Sequence, residues 1–72
     1  MSRLKDMLYT SAVADKAKAL LTLELLEKNP AGIGDHSTED FYKNAEEALA
    51  MLADADDRLE AIDRYLAKKQ VV

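Results

Sequence analysis

The chain has 72 residues, no cysteine and a formal net charge of −4, with 14 acidic against 10 basic residues. A single core in so short a chain supplies roughly 3–5 kcal/mol, and the lack of cysteine removes disulfides and thiolate metal sites as reinforcement. Lys and Arg form no block that would grip a phosphate backbone, so nucleic acid is not an expected partner, and self-association or docking on another protein is what remains.

Ser2 caps the first predicted helix, over about residues 3–28, which no signal peptide is expected to precede: Arg3-Leu4-Lys5-Asp6 is charged and leads into no apolar core or small-residue cleavage site. The densest apolar run, Ala19 to Leu26, is broken by Thr22 and Glu24 and is far short of the ~20 residues that span a bilayer. A cytoplasmic protein is expected, with no membrane partner. At 100° per residue, Leu8, Ala12, Ala19, Leu23 and Leu26 form one seam. Ala14, Ala17, Leu21 and Leu25 form another, with a polar strip of Ser11, Asp15, Lys18 and Thr22 between them. A helix apolar on more than one side needs more than one neighbour.

Residues 29–37 hold the only proline, both glycines and the only histidine. Pro30 ends the first helix near Asn29, Gly32 and Gly34 permit the bends of a reversal, and Ser37 before Thr38-Glu39-Asp40 restarts a helix as an N-cap with acids in its first turn. The second predicted helix covers about residues 38–69. Phe41, Ala45, Ala48, Leu52, Ala55, Leu59, Ile62 and Leu66 recur at spacings of three and four, an a/d pattern of almost four heptads. Leu49, Met51 and Tyr65 widen that stripe, and the alanines let a neighbouring backbone approach closely. Glu39–Lys43, Asp54–Arg58 and Glu60–Arg64 are i,i+4 pairs with the acid first, and Lys68 and Lys69 suit the helix C-terminus.

These elements predict an all-α fold: one antiparallel two-helix hairpin spanning residues 1–72, dimerising into a four-helix bundle because the hairpin leaves large apolar surfaces uncovered. The expected oligomer interface is Phe41, Leu52, Leu59, Ile62 and Leu66 with Leu21 and Leu25. If a loop binds a partner, Asn29, Gly32, Gly34, Asp35 and His36 are the residues on display, although turning the chain is explanation enough for them.

Chemistry is thinly represented. Asp35 and His36 with Glu39 and Asp40 bring a histidine near carboxylates, but Asp35 and Ser37 read better as caps and the acids as dipole partners. Asp54-Ala55-Asp56-Asp57 with Glu60 and Asp63 is acidic, yet counting from Asp54 the sixth and twelfth positions of a calcium loop are Leu59 and Tyr65 instead of Gly and Glu. Paired carboxylate motifs, Glu24-x-x-Glu27 and Glu60-x-x-Asp63, resemble the Mg²⁺-binding helices of all-α nucleotide pyrophosphohydrolases. Counted from the turn, their heights differ by about 25 Å within one chain. Neither a phosphate loop nor a Ser-His-acid set nor the Glu-x-x-His motif of di-iron bundles occurs. No catalytic residue, metal or cofactor is therefore expected.

At residues 29–38 and again at Leu52-Ala53-Asp54-Ala55-Asp56-Asp57-Arg58-Leu59-Glu60, the sequence resembles small uncharacterised proteins of marine phages and marine environmental sequences, over about residues 19–64. The resemblance implies a phage or marine bacterial setting, hence a host cytoplasm for a phage-encoded chain, and carries no activity. The expected role is a non-enzymatic assembly or protein-interaction module, such as a phage accessory protein. The alternatives are a small binding regulator that folds against a foreign helical partner and, more distantly, the Mg²⁺-dependent pyrophosphohydrolase.

Overall fold

The computed structural model describes residues 2–28 and 38–67. It is an all-helical hairpin, with no strand among the described residues. Helix α1 spans Arg3–Lys28 and α2 spans Thr38–Ala61, and α2 runs directly into a π-helical segment, Ile62–Ala67. Ser2 caps α1 as its position suggests: its Oγ accepts the Lys5 N–H at 2.9 Å, and its carbonyl accepts the Asp6 N–H at 3.1 Å. The Ser37 cap, the Glu39 side chain of the Glu39–Lys43 pair and the C-terminal lysines lie outside the described residues or side chains.

The interior is narrow. Six of the described residues are buried: Ala12, Ala19 and Leu26 on α1, and Ala48, Ala55 and Ile62 on the second helix. Each set recurs every seven residues, the repeat of a helix that keeps one edge against its neighbour. Four of the six are alanine, so little side chain separates the two axes. Among the described residues, two ion pairs cross this seam and fix its register. Arg58 Nη2 lies 2.7 Å from Asp15 Oδ2, and Lys16 Nζ lies 3.1 Å from Asp56 Oδ1. That register sets Ala19 level with Ala55, Ala12 with Ile62 and Leu26 with Ala48. It also sets Lys28 level with Glu46, so α2 begins about 8 residues, or ~12 Å, beyond the end of α1.

Within the second helix, Ala48, Ala55 and Ile62 of the expected heptad stripe are buried, Phe41, Ala45, Leu52 and Leu59 are half-buried, and Leu66 is exposed. The π-helical segment is a departure from the continuous α-helix predicted over 38–69. It begins at Ile62, the last buried position of the seam, and nothing in the spacing of the sequence signals it.

Candidate functional site

Each helix presents two flanks to either side of the buried seam, because neighbouring residues turn by about 100°. Asp15 and Lys16 are consecutive, and so their cross-helix bonds leave the seam on opposite sides. On α1, residues three after a seam position (Leu8, Asp15, Thr22) share the first flank, and those four after it (Tyr9, Lys16, Leu23) share the second. On the antiparallel partner, Asn44, Met51, Arg58 and Tyr65 lie on the Asp15 side, and Ala45, Leu52 and Leu59 on the Lys16 side.

The Asp15 flank is mixed in chemistry. Arg58 bonds Asp15 and, through Nε, Asp54 Oδ2 at 3.0 Å, while Lys18 approaches the other oxygen of Asp15 at 4.0 Å. The bond to Asp15 is the largest influence holding the Arg58 guanidinium above its ordinary pKa, with desolvation opposing it and the nearby carboxylate charges adding to it. Thr22 turns its hydroxyl back onto the Lys18 carbonyl at 2.9 Å. Two shallow apolar grooves open on this flank. One lies among Leu8, Ile62 and Tyr65, and the other among Thr22, Leu26, Asn44 and Met51. The cation facing the first, Arg58, is already held by two carboxylates.

The Lys16 flank is also apolar over much of its length. Between Tyr9 at one end and Leu23 and Leu49 at the other, it adds Val13 and Leu20 from α1 and Leu52 and Leu59 from α2. Leu23, Leu52 and Leu59 are half-buried, whereas Tyr9, Val13, Leu20 and Leu49 are exposed. The Lys16–Asp56 pair sits midway along it, with both side chains about half accessible (42% and 54%).

The structure redistributes the residues singled out by sequence. Ile62 is buried inside the hairpin, at 7% exposure. Leu52 and Leu59 share the Lys16 flank, Leu66 lines the groove beside Leu8 and Tyr65, and Leu25 lies on the Asp15 flank and Leu21 on the back of α1, these last three all exposed. Phe41 is half-buried and sets its ring edge-on to Tyr42 at 5.8 Å. The loop residues Asn29, Gly32, Gly34, Asp35 and His36 lie outside the described residues.

The acidic run of α2 is dispersed around the helix. Asp54 turns to Arg58, Asp56 to Lys16 and Glu60 to Arg64 at 2.7 Å, while Ala55 among them is buried. Among the described residues no three His, Asp or Glu side chains gather as a metal site. The two paired-carboxylate motifs stay apart as well. Glu24 is level with Ala50, ten residues or ~15 Å from Glu60, a smaller offset than the ~25 Å counted from the turn, because α2 overshoots the end of α1. Glu24 is also tied to Lys28 at 3.2 Å.

Neither cross-helix ion pair follows from the polar strip of Ser11, Asp15, Lys18 and Thr22, which lies between the two apolar seams of one helix. A signal for both is nonetheless present: opposite charges follow an alanine of the seam at Asp15-Lys16 after Ala12 and at Asp56 and Arg58 after Ala55. No described helix is long and apolar enough to cross a membrane. No family model matches the chain, and neither the curated proteins nor the solved structures include a match.

Proposed function

We propose that the chain is a non-enzymatic assembly module of the cytoplasm, a helical hairpin that pairs with a second copy of itself to close a four-helix bundle. One observation carries this reading. The hairpin buries four alanines, one leucine and one isoleucine, while thirteen large apolar residues, from Leu4 to Leu66, stay exposed among those described. Alanine burial contributes little transfer free energy, and each buried leucine or isoleucine adds only about 1.5–3 kcal/mol. Ordering more than fifty residues costs more than that core returns, so the exposed leucines are the reserve that a second chain would bring out of water.

The test is mass by light scattering across a dilution series, with helicity followed in parallel. A dimer whose helicity falls as it dissociates is the expected result. A poorly helical monomer at micromolar concentration overturns it and favours a small regulator that folds against a foreign helical partner.

A further inference from the structure

Resting on that self-assembly reading, we infer that the second copy docks on the Lys16 flank, about a twofold axis parallel to the helices, so that each Lys16 meets the partner subunit's Asp56. The two copies then cross-brace at the middle of the bundle.

Three observations on the molecule choose this face. The first is its chemistry. Lys16 and Asp56 are the charges at its centre, and leucine or valine stands on either side of them on both helices, with Asp63 and Glu27 towards the ends. The second is area. The described helices overlap over roughly 33 Å, and two packed helices are roughly 18–20 Å across, so the flank presents on the order of 600–700 Å² in projection. That approaches the ~800 Å² per partner of a standard interface. The Asp15 flank offers the same length but is interrupted by Asp15, Lys18, Glu47, Asp54 and Arg58.

The third observation is charge complementarity, which also selects the axis. With the twofold along the bundle, α1 of one copy lies over α2 of the other at equal height. Lys16 then faces the partner subunit's Asp56, and the four charges alternate in sign around a square. Val13 and Leu20 meet the partner's Leu59 and Leu52 on the levels above and below. A twofold perpendicular to the helices through the same centre stacks α1 on α1 and sets Lys16 against its own copy. Like charges held together as an interface closes repel, so that arrangement is disfavoured. A polar pair amid apolar neighbours also fixes the register of the two hairpins, since a slip by one turn leaves four charges among leucines.

The experiment uses the full chain and two charge reversals, Lys16→Glu and Asp56→Lys, each studied alone and then mixed. Lys16→Glu alone gathers four negative charges at the centre of the dimer, and Asp56→Lys alone gathers four positive ones. Each is expected to dissociate about 100-fold more readily than the wild type. Mixing them restores a two-chain species that contains one of each. The bond within each hairpin stays broken in the mixture, so the rescue reads contact between chains and nothing else.

Two variants of nearly equal exposure read the face independently of charge. Leu20 on the Lys16 flank is 47% exposed and Leu25 on the Asp15 flank 46%. Leu20→Glu is expected to weaken the dimer about 100-fold, and Leu25→Glu to leave it near wild type. The axis is read with a spin label on Lys43→Cys, the chain having no other cysteine. Labels within about 30 Å fit the parallel axis, whereas the perpendicular axis separates them by about 40 Å or more and overturns the inferred arrangement.

Charge variants that dimerise like the wild type and gain nothing on mixing overturn the face, while the self-assembly reading stands. The face is equally overturned if Leu25→Glu dissociates the chain and Leu20→Glu does not. A wild-type chain that is monomeric, or helical only with a foreign protein, overturns both.

Discussion

Arg58 reaches across the hairpin to Asp15 at 2.7 Å while its Nε holds Asp54 of its own helix at 3.0 Å. One guanidinium thus ties the helix to its neighbour and to its own preceding turn. Arg58 and Asp15 side chains remain about one third exposed (37% and 32%), so water screens the pair and its contribution is modest. Removing it with Asp15→Asn is expected to lower Tm by no more than a few degrees. A double-mutant cycle with Arg58→Gln checks it, and a coupling beyond measurement error identifies the cross-helix bond.

The same arginine sets a pH dependence by its sign. Its folded pKa lies above the ordinary guanidinium value, chiefly through the hydrogen bond to Asp15. A raised pKa contributes stability that is fully present below the unfolded value and is lost only as pH climbs through the folded one. The stability gap between wild type and Arg58→Gln is therefore expected to stay constant from about pH 7 to pH 11. Urea denaturation at a series of pH values measures it. A gap that closes within that range rules out the arginine as its source.

The alanine seam responds to added volume. Ala19 and Ala55 are both at 0% exposure and stand level with each other. Ala19→Leu or Ala55→Leu forces the axes apart, and a loss of about 1–3 kcal/mol is expected, more if the cross-helix ion pairs are stretched as well. Ala14→Leu, at an exposed position of the same helix, serves as the control and should change stability by less than ~0.5 kcal/mol. Denaturation midpoints distinguish the two.

At the start of α1 the Ser2 hydroxyl satisfies the Lys5 N–H. Ser2→Ala leaves that donor to water, at an expected cost of about 0.5–2 kcal/mol, and Ser2→Gly costs only a few tenths. Amide exchange over residues 3–6 is expected to quicken in the alanine variant while the middle of the helix is unchanged.

How far the molecule can be read from its residues differs between elements. The span of α1 follows from Ser2 at one end and Pro30 beyond the other, local signals that do not depend on tertiary packing. The seam on the second helix follows from its seven-residue recurrence. On α1 two apolar seams compete on paper, and only the register decides that Ala12, Ala19 and Leu26 face inward while Ala14, Ala17, Leu21 and Leu25 stay in water. Register is a relation between helices that no pattern within one of them contains. For the same reason the heptad alone assigns Ile62 to an interface between chains when it closes the hairpin, and a count from the turn overestimates the separation of Glu24 from Glu60. The π-helical turn after Ala61 has no signature in the spacing at all.

The four buried alanines have a consequence for how such a chain accepts change. At Ala12, Ala19, Ala48 and Ala55 every replacement except glycine adds volume, and glycine weakens the helix by about 1 kcal/mol. Variation at these positions is therefore closed in both directions. The flanking positions, which hold leucine, valine, lysine and aspartate in water or half out of it, are open to change. A sequence of this design keeps its shape in one set of residues and its choice of company in another. New associations can thus be explored without rebuilding the hairpin that displays them.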